Sequence, residues 1–137
     1  MTGIASRFFI VGAITGVIGM LWGVQMSASA DHALYPAHAH LNLLGWVSFA
    51  LFGLYYHVQQ KAAESVLSTV HFWMATAGLV LMIPGIVLAL REIDETLVKL
   101  GSLLTVGAML LFVFIIFRYR IRTAEMPSVS TISSRKV

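Results

Sequence analysis

His38-Ala39-His40-Leu41-Asn42-Leu43-Leu44-Gly45-Trp46-Val47-Ser48-Phe49-Ala50-Leu51-Phe52-Gly53 opens on a pair of histidines and then runs on without a single Asp, Glu, Lys or Arg. Extended to residues 36–58, the stretch matches the length of helix needed to cross a bilayer core of roughly 30 Å, about 20 residues. A strand is excluded on two grounds. Lipid offers no partner for unpaired backbone groups, and a barrel strand is only about 10 residues long. Imidazole is a poor resident of hydrocarbon, so ionisable side chains at the mouth of a membrane helix are functional candidates by default.

Working outward from this segment, three further apolar stretches have spanning length, at about residues 8–26, 66–90 and 97–117. The links at 27–35, 59–65 and 91–96 are short, which forces antiparallel neighbours and an up-down bundle. The predicted fold is therefore an all-α membrane protein of four helices. Composition agrees: of 137 residues, 58% are hydrophobic and 11% charged, with mean hydropathy +0.86. A single soluble domain could not cover so apolar a core, so its solvent must be lipid. With no cysteine, the chain has no disulfide, no thiolate metal site and no thioether link to a c-type haem. No carboxylate falls within any of the four stretches, which gives little support to a coupled transporter.

The net charge of +3 and pI near 9.6 would suggest nucleic acid in a soluble protein. Here the basic residues sit at helix ends and read as topology signals, so no nucleic-acid partner is expected. Arg7, Lys61, Arg118, Arg120, Arg122, Arg135 and Lys136 share one side; Arg91 and Lys99 lie on the other with Asp31, Glu92, Asp94 and Glu95. The asymmetry predicts cytoplasmic termini in a bacterial-type inner membrane, with His38 and His40 near the periplasmic face. Arg7, the first apolar run and Ala28-Ser29-Ala30 imitate a signal peptide, but the run exceeds a usual signal core and reads as a retained helix. Within it, Gly12-x3-Gly16 and Gly19-x3-Gly23 allow close helix approach, inside the bundle or between subunits. Residues 123–137, rich in Ser and Thr, are expected to form a flexible cytoplasmic tail.

Pro36 suits the first turn of a helix, which puts His38 and His40 in its first two turns. Residues two apart on a helix point about 200° from one another, so the pair cannot chelate one ion, but each histidine can serve a different partner. The bland alternative is a pair of interfacial side chains bonded to headgroups. His57, at the far end of the same helix, lies about 25 Å from His40 and belongs to a separate site. Across the next loop it could meet His71 and hold a metal or a quinone headgroup, although such residues more often serve as interfacial anchors. His32, beside Asp31 in the first loop, reads as solvated.

The stretch from His38 to Pro84 resembles the tenth and eleventh membrane helices of the catalytic subunit of haem–copper oxidases. The tenth helix there opens with His-x-His, matched by His38-Ala39-His40. Phe49-Ala50, Gly53, Tyr55 and His57 fall at comparable spacing, and Val70-His71-Phe72, Gly78 and Pro84 resemble the next helix. His40-Leu41-Asn42-Leu43-Leu44 also resembles the His-x-Asn-Leu-Leu run of the nitric oxide reductase branch. The likeness covers about a third of the chain. It implies haem b, with His38 and His40 as axial iron ligands, Asn42, Trp46 and Phe49 lining the pocket and Arg91 pairing a propionate. Because that family's subunit is built from three four-helix units, the resemblance also implies a homotrimer, with His40 of one copy and His38 of the next sharing a haem. The chain lacks the family's copper-binding helix, so electron transfer or binding of NO, CO or O2 is the leading expectation. An oligomeric nitric oxide reductase-like enzyme is one alternative. A haem-free accessory or copper-binding subunit of a respiratory complex is the other.

Overall fold

The computed structural model describes residues 3–120. These form α1 (Gly3–Ser29), α2 (Tyr35–Val58), the short α3 (Gln60–Ala63), α4 (Val66–Leu90) and α5 (Thr96–Arg118), with no strand among them. Helices α1, α2, α4 and α5 are each long and apolar enough to cross a membrane, the build of a multi-pass membrane protein. The expected spans fall within these helices. The main difference is at α1, which begins at Gly3 because helical hydrogen bonding continues past the apolar run through exposed Arg7. The expected tail at 123–137 lies outside the described residues.

The bundle is inside-out relative to a soluble protein. Leu21, Val24, Leu103, Leu110 and Phe117 are each at least 65% exposed, whereas glycines, alanines, Ser68, His71 and a cluster of aromatic rings are buried. Large aliphatic residues gain nothing from the interior when the surroundings are hydrocarbon, so small residues that permit close backbone approach take the helix contacts.

Two antiparallel hairpins follow from that rule. In the first, the glycines of α1 form a groove that seats α2. A Cβ at Gly12 would lie 3.3 Å from Phe49 Cβ, one at Gly16 3.2 Å from the Trp46 ring, and one at Gly23 3.1 Å from His38 Cε1. Asn42 fills the groove at Gly19. The Gly-x3-Gly repeats thus serve contacts within the bundle. In the second hairpin, Gly101 of α5 meets the Met82 backbone of α4, Gly85 meets Val98, and Gly78 meets Thr105. Helix α2 also touches α4 through Phe52, Tyr56 and His71, and α5 through Phe52 and Phe112, so it lies against all three other spans.

Helix α2 is not uniform. From Leu41 to Ser48 its turns widen to π-helical geometry, and Ser48 Oγ donates to the Leu43 carbonyl five residues back, at 2.9 Å. Such segments are uncommon and tend to occur at functional sites. This one starts immediately after His40.

Candidate functional site around the start of helix 2

Tyr35–His40 is a regular α-helical turn with Pro36 near its start, so the two histidines diverge as their spacing requires. His38 is half-buried in the seam with α1. Trp22 presents a ring to it at 6.2 Å between centroids and 86°, and Gly23 lies beneath it. The Asn42 amide donates to the His38 carbonyl at 2.9 Å and stands 3.4 Å from each ring nitrogen. Asn42, Trp46 and Phe49 continue the same stripe along the glycine groove. Phe49 is buried and Trp46 is 41% exposed.

His40 faces the other way and is exposed. Its Nδ1 lies 2.7 Å from the Pro36 carbonyl oxygen. A carbonyl can only accept, so Nδ1 must carry the proton. The lone pair then belongs to Nε2, and the ring is held in one orientation. This is the form in which imidazole binds a metal, and a backbone carbonyl on the remote nitrogen is a common support for a ligating histidine. The other residues anticipated for the pocket are not on this face. Asn42, Trp46 and Phe49 pack towards α1, and Arg91 is an exposed residue that closes α4. His32, exposed in the first loop, accepts the Tyr35 N–H through its carbonyl at 3.1 Å.

At the opposite end, His57 is exposed while His71 is completely buried. The partner of His71 is Tyr56: Oη and Nδ1 share a 3.0 Å hydrogen bond. Phe112 stacks on the imidazole at 5.2 Å and 17°, and Phe52 meets it edge-on at 4.5 Å. Nε2 has no partner among the described residues. Tyr56 is the residue that reasoning from histidines alone overlooked. Counting inward from the α2–α4 link does not pair the two, because Tyr56 stands two residues before the end of α2 and His71 five residues past the start of α4; the packing of the helices brings them together.

This pair gives a stability prediction. Tyr56→Phe leaves both imidazole nitrogens buried without a partner and should lower the unfolding free energy by about 1 kcal/mol. The double change Tyr56→Phe with His71→Phe removes the polar atoms altogether and should recover most of that loss. Unfolding of the four proteins in mixed detergent–SDS micelles measures the cycle. A double variant no better than the single would show that the pair contributes more than its own hydrogen bond.

Among the described residues, no three His, Cys, Asp or Glu side chains converge to hold a metal ion. A metal bound here would have to bring most of its own donors, as a porphyrin does with four nitrogens. His40 offers one oriented ring nitrogen, Nε2, on an exposed face. No known family model matches the chain, no characterised protein is significantly similar to it, and no solved structure matches its fold. The likeness to haem–copper oxidases therefore rests on the residues of 38–84 by themselves.

Proposed function

We propose that the chain is a b-type cytochrome of a bacterial-type inner membrane, with His40 supplying an axial imidazole to a haem at the outer end of α2. The observation that carries this reading is the 2.7 Å contact from His40 Nδ1 to the Pro36 carbonyl. It fixes tautomer and direction and leaves Nε2 as the outward donor. Leu43, Val47, Leu51 and Leu54 continue from His40 as an exposed apolar stripe, a surface suited to a porphyrin edge and to another copy of the chain. The absence of cysteine limits any haem to non-covalent attachment.

When bound, haem supplies one-electron exchange, or an open position for NO, CO or O2 if one axial site is left free. The chain's own part is to hold His40 in place, to keep the haem edge apolar and to exclude water. A homotrimer with termini in the cytoplasm completes the proposal. His38 of the neighbouring copy, half-buried at its own α1–α2 seam, would then be the second axial donor, and an electron donor or respiratory complex the partner.

The test is an oxidised and dithionite-reduced absorption spectrum of the full chain, purified in mild detergent after expression with ample haem, with its mass measured alongside. Sharp reduced bands of a six-coordinate b-type haem on a trimer are expected. A colourless protein would remove the cytochrome reading, and a haem-loaded monomer would remove the shared site.

A further inference from the structure

Between the end of α2 and the end of α5, a cavity of about 710 Å³ opens, lined by Val58, Gln59, Lys61, Phe117, Arg118 and Arg120, with Tyr119 at its side. Among the described residues, its lining holds three cations and no carboxylate. The ion pair found among the described residues, Lys99 with Glu95, belongs to α5 near its other end. Helices α2 and α5 both finish here. Their C-terminal dipoles are equivalent to about half a negative charge each, or about one together. Three cations exceed that by about two, so helix capping alone does not balance the cavity.

We propose that this cavity binds the headgroup phosphate of an anionic phospholipid. The arginines offer planar forks that match phosphate oxygens, and Lys61 adds a point charge. The structure holds the site in shape. The Gln59 amide donates to the Tyr119 carbonyl and ties the two helix ends together. The Arg118 guanidinium carbon lies 5.8 Å from the centre of the Tyr119 ring. The rim selects a lipid over a free anion. Val58 and Phe117 are 66% and 69% exposed, at the ends of two spans, where acyl chains would cover them. A soluble phosphate gains nothing from those two side chains. Basic pockets at the ends of membrane helices are a recognised form of lipid headgroup site.

The full chain, delipidated in mild detergent and equilibrated with equal phosphatidylcholine, phosphatidylglycerol and cardiolipin, can be read by native mass spectrometry. Retention of the anionic lipids over phosphatidylcholine is expected. Lys61→Gln, Arg118→Gln and Arg120→Gln should each weaken that retention on the order of fivefold, and the triple variant should abolish the preference. Arg7→Gln, at the same end of the bundle but outside the cavity lining, should keep it. Phe117→Gln, which leaves every cation in place, should weaken lipid retention as well, and it serves as the second probe if the triple variant proves unstable. Equal retention of all three lipids by the wild type would overturn the proposal. So would full displacement of the lipid by millimolar inorganic phosphate, which would mark a free-anion site, or equal loss in Arg7→Gln, which would mark a diffuse surface charge.

Discussion

His40→Ala is expected to leave the purified protein without haem, whereas His38→Ala is expected to keep haem in a changed coordination state. The two residues are two positions apart in sequence but lie in different surroundings. His40 is exposed, with Nδ1–H committed to the Pro36 carbonyl, so its removal takes away the one nitrogen already oriented for iron. Loss of a supporting hydrogen bond around a metal ligand already lowers affinity about 10–100-fold, and loss of the ligand should exceed that. His38 lies against Trp22, Gly23 and Asn42. On the shared-site reading it completes the coordination of a neighbour's haem without being its main anchor. The measurement is haem per chain by the pyridine haemochrome method, together with the reduced spectrum of each variant. His38→Ala should give the broad bands of a five-coordinate haem that binds CO, and added imidazole should restore the sharp ones. Full haem content in His40→Ala would refute the assignment of His40, whatever the wild-type spectrum.

Gly101→Leu should strongly destabilise the α4–α5 hairpin. A Cβ at Gly101 would come within 2.7 Å of the Met82 nitrogen and 2.9 Å of its Cα. Those are backbone atoms in the middle of a helix and cannot rotate away, so the helices must separate along their length. Overpacking of this kind costs about 1–3 kcal/mol, and Leu, with its long side chain against backbone, belongs at or beyond the upper end. Gly107 is the matched control. A Cβ there meets Met74 Cε at 3.2 Å, the mobile tip of a flexible side chain that can move, so Gly107→Ala should be close to neutral. Unfolding in SDS titrations, followed by circular dichroism, would rank the two. Equal stability would mean that the hairpin tolerates separation and that α5 is held by something other than close backbone contact.

Much of the architecture was legible because lipid imposes a coarse rule. Four long runs without carboxylates, separated by short polar links, have few alternatives to four antiparallel helices, and the helices start and stop within a few residues of those runs. The opposite orientation of His38 and His40 was legible too, since the angle between positions two apart is a property of the helix itself. The pairing of His71 was harder to read. His57 looked equivalent to it in the sequence, one near each side of the same loop. Tyr56 supplies the hydrogen bond, while His57 stays exposed.

The anticipated pocket shows a different limit. Asn42, Trp46 and Phe49 were grouped with the histidines as neighbours along one helix. Which of them share a face depends on where the turns widen, and Leu41–Ser48 widens them. With more residues per turn, the stripe of His38, Asn42, Trp46 and Phe49 stays aligned with the glycines of α1. No rule of composition announces a π-helical stretch, which is rare and occurs mostly as a local bulge within an α-helix.

The sequence by itself therefore determined an all-helical chain with four membrane-length spans, and the divergence of its histidine pair, because helix period and hydrocarbon thickness are fixed by backbone geometry and by the solvent. Only the tertiary structure decided which imidazole is buried and which is exposed. Only it decided that the glycines of α1 receive α2 and that three cations converge on one cavity. These depend on how the faces of separate helices meet, and that is settled by the close fit of small residues against particular side chains.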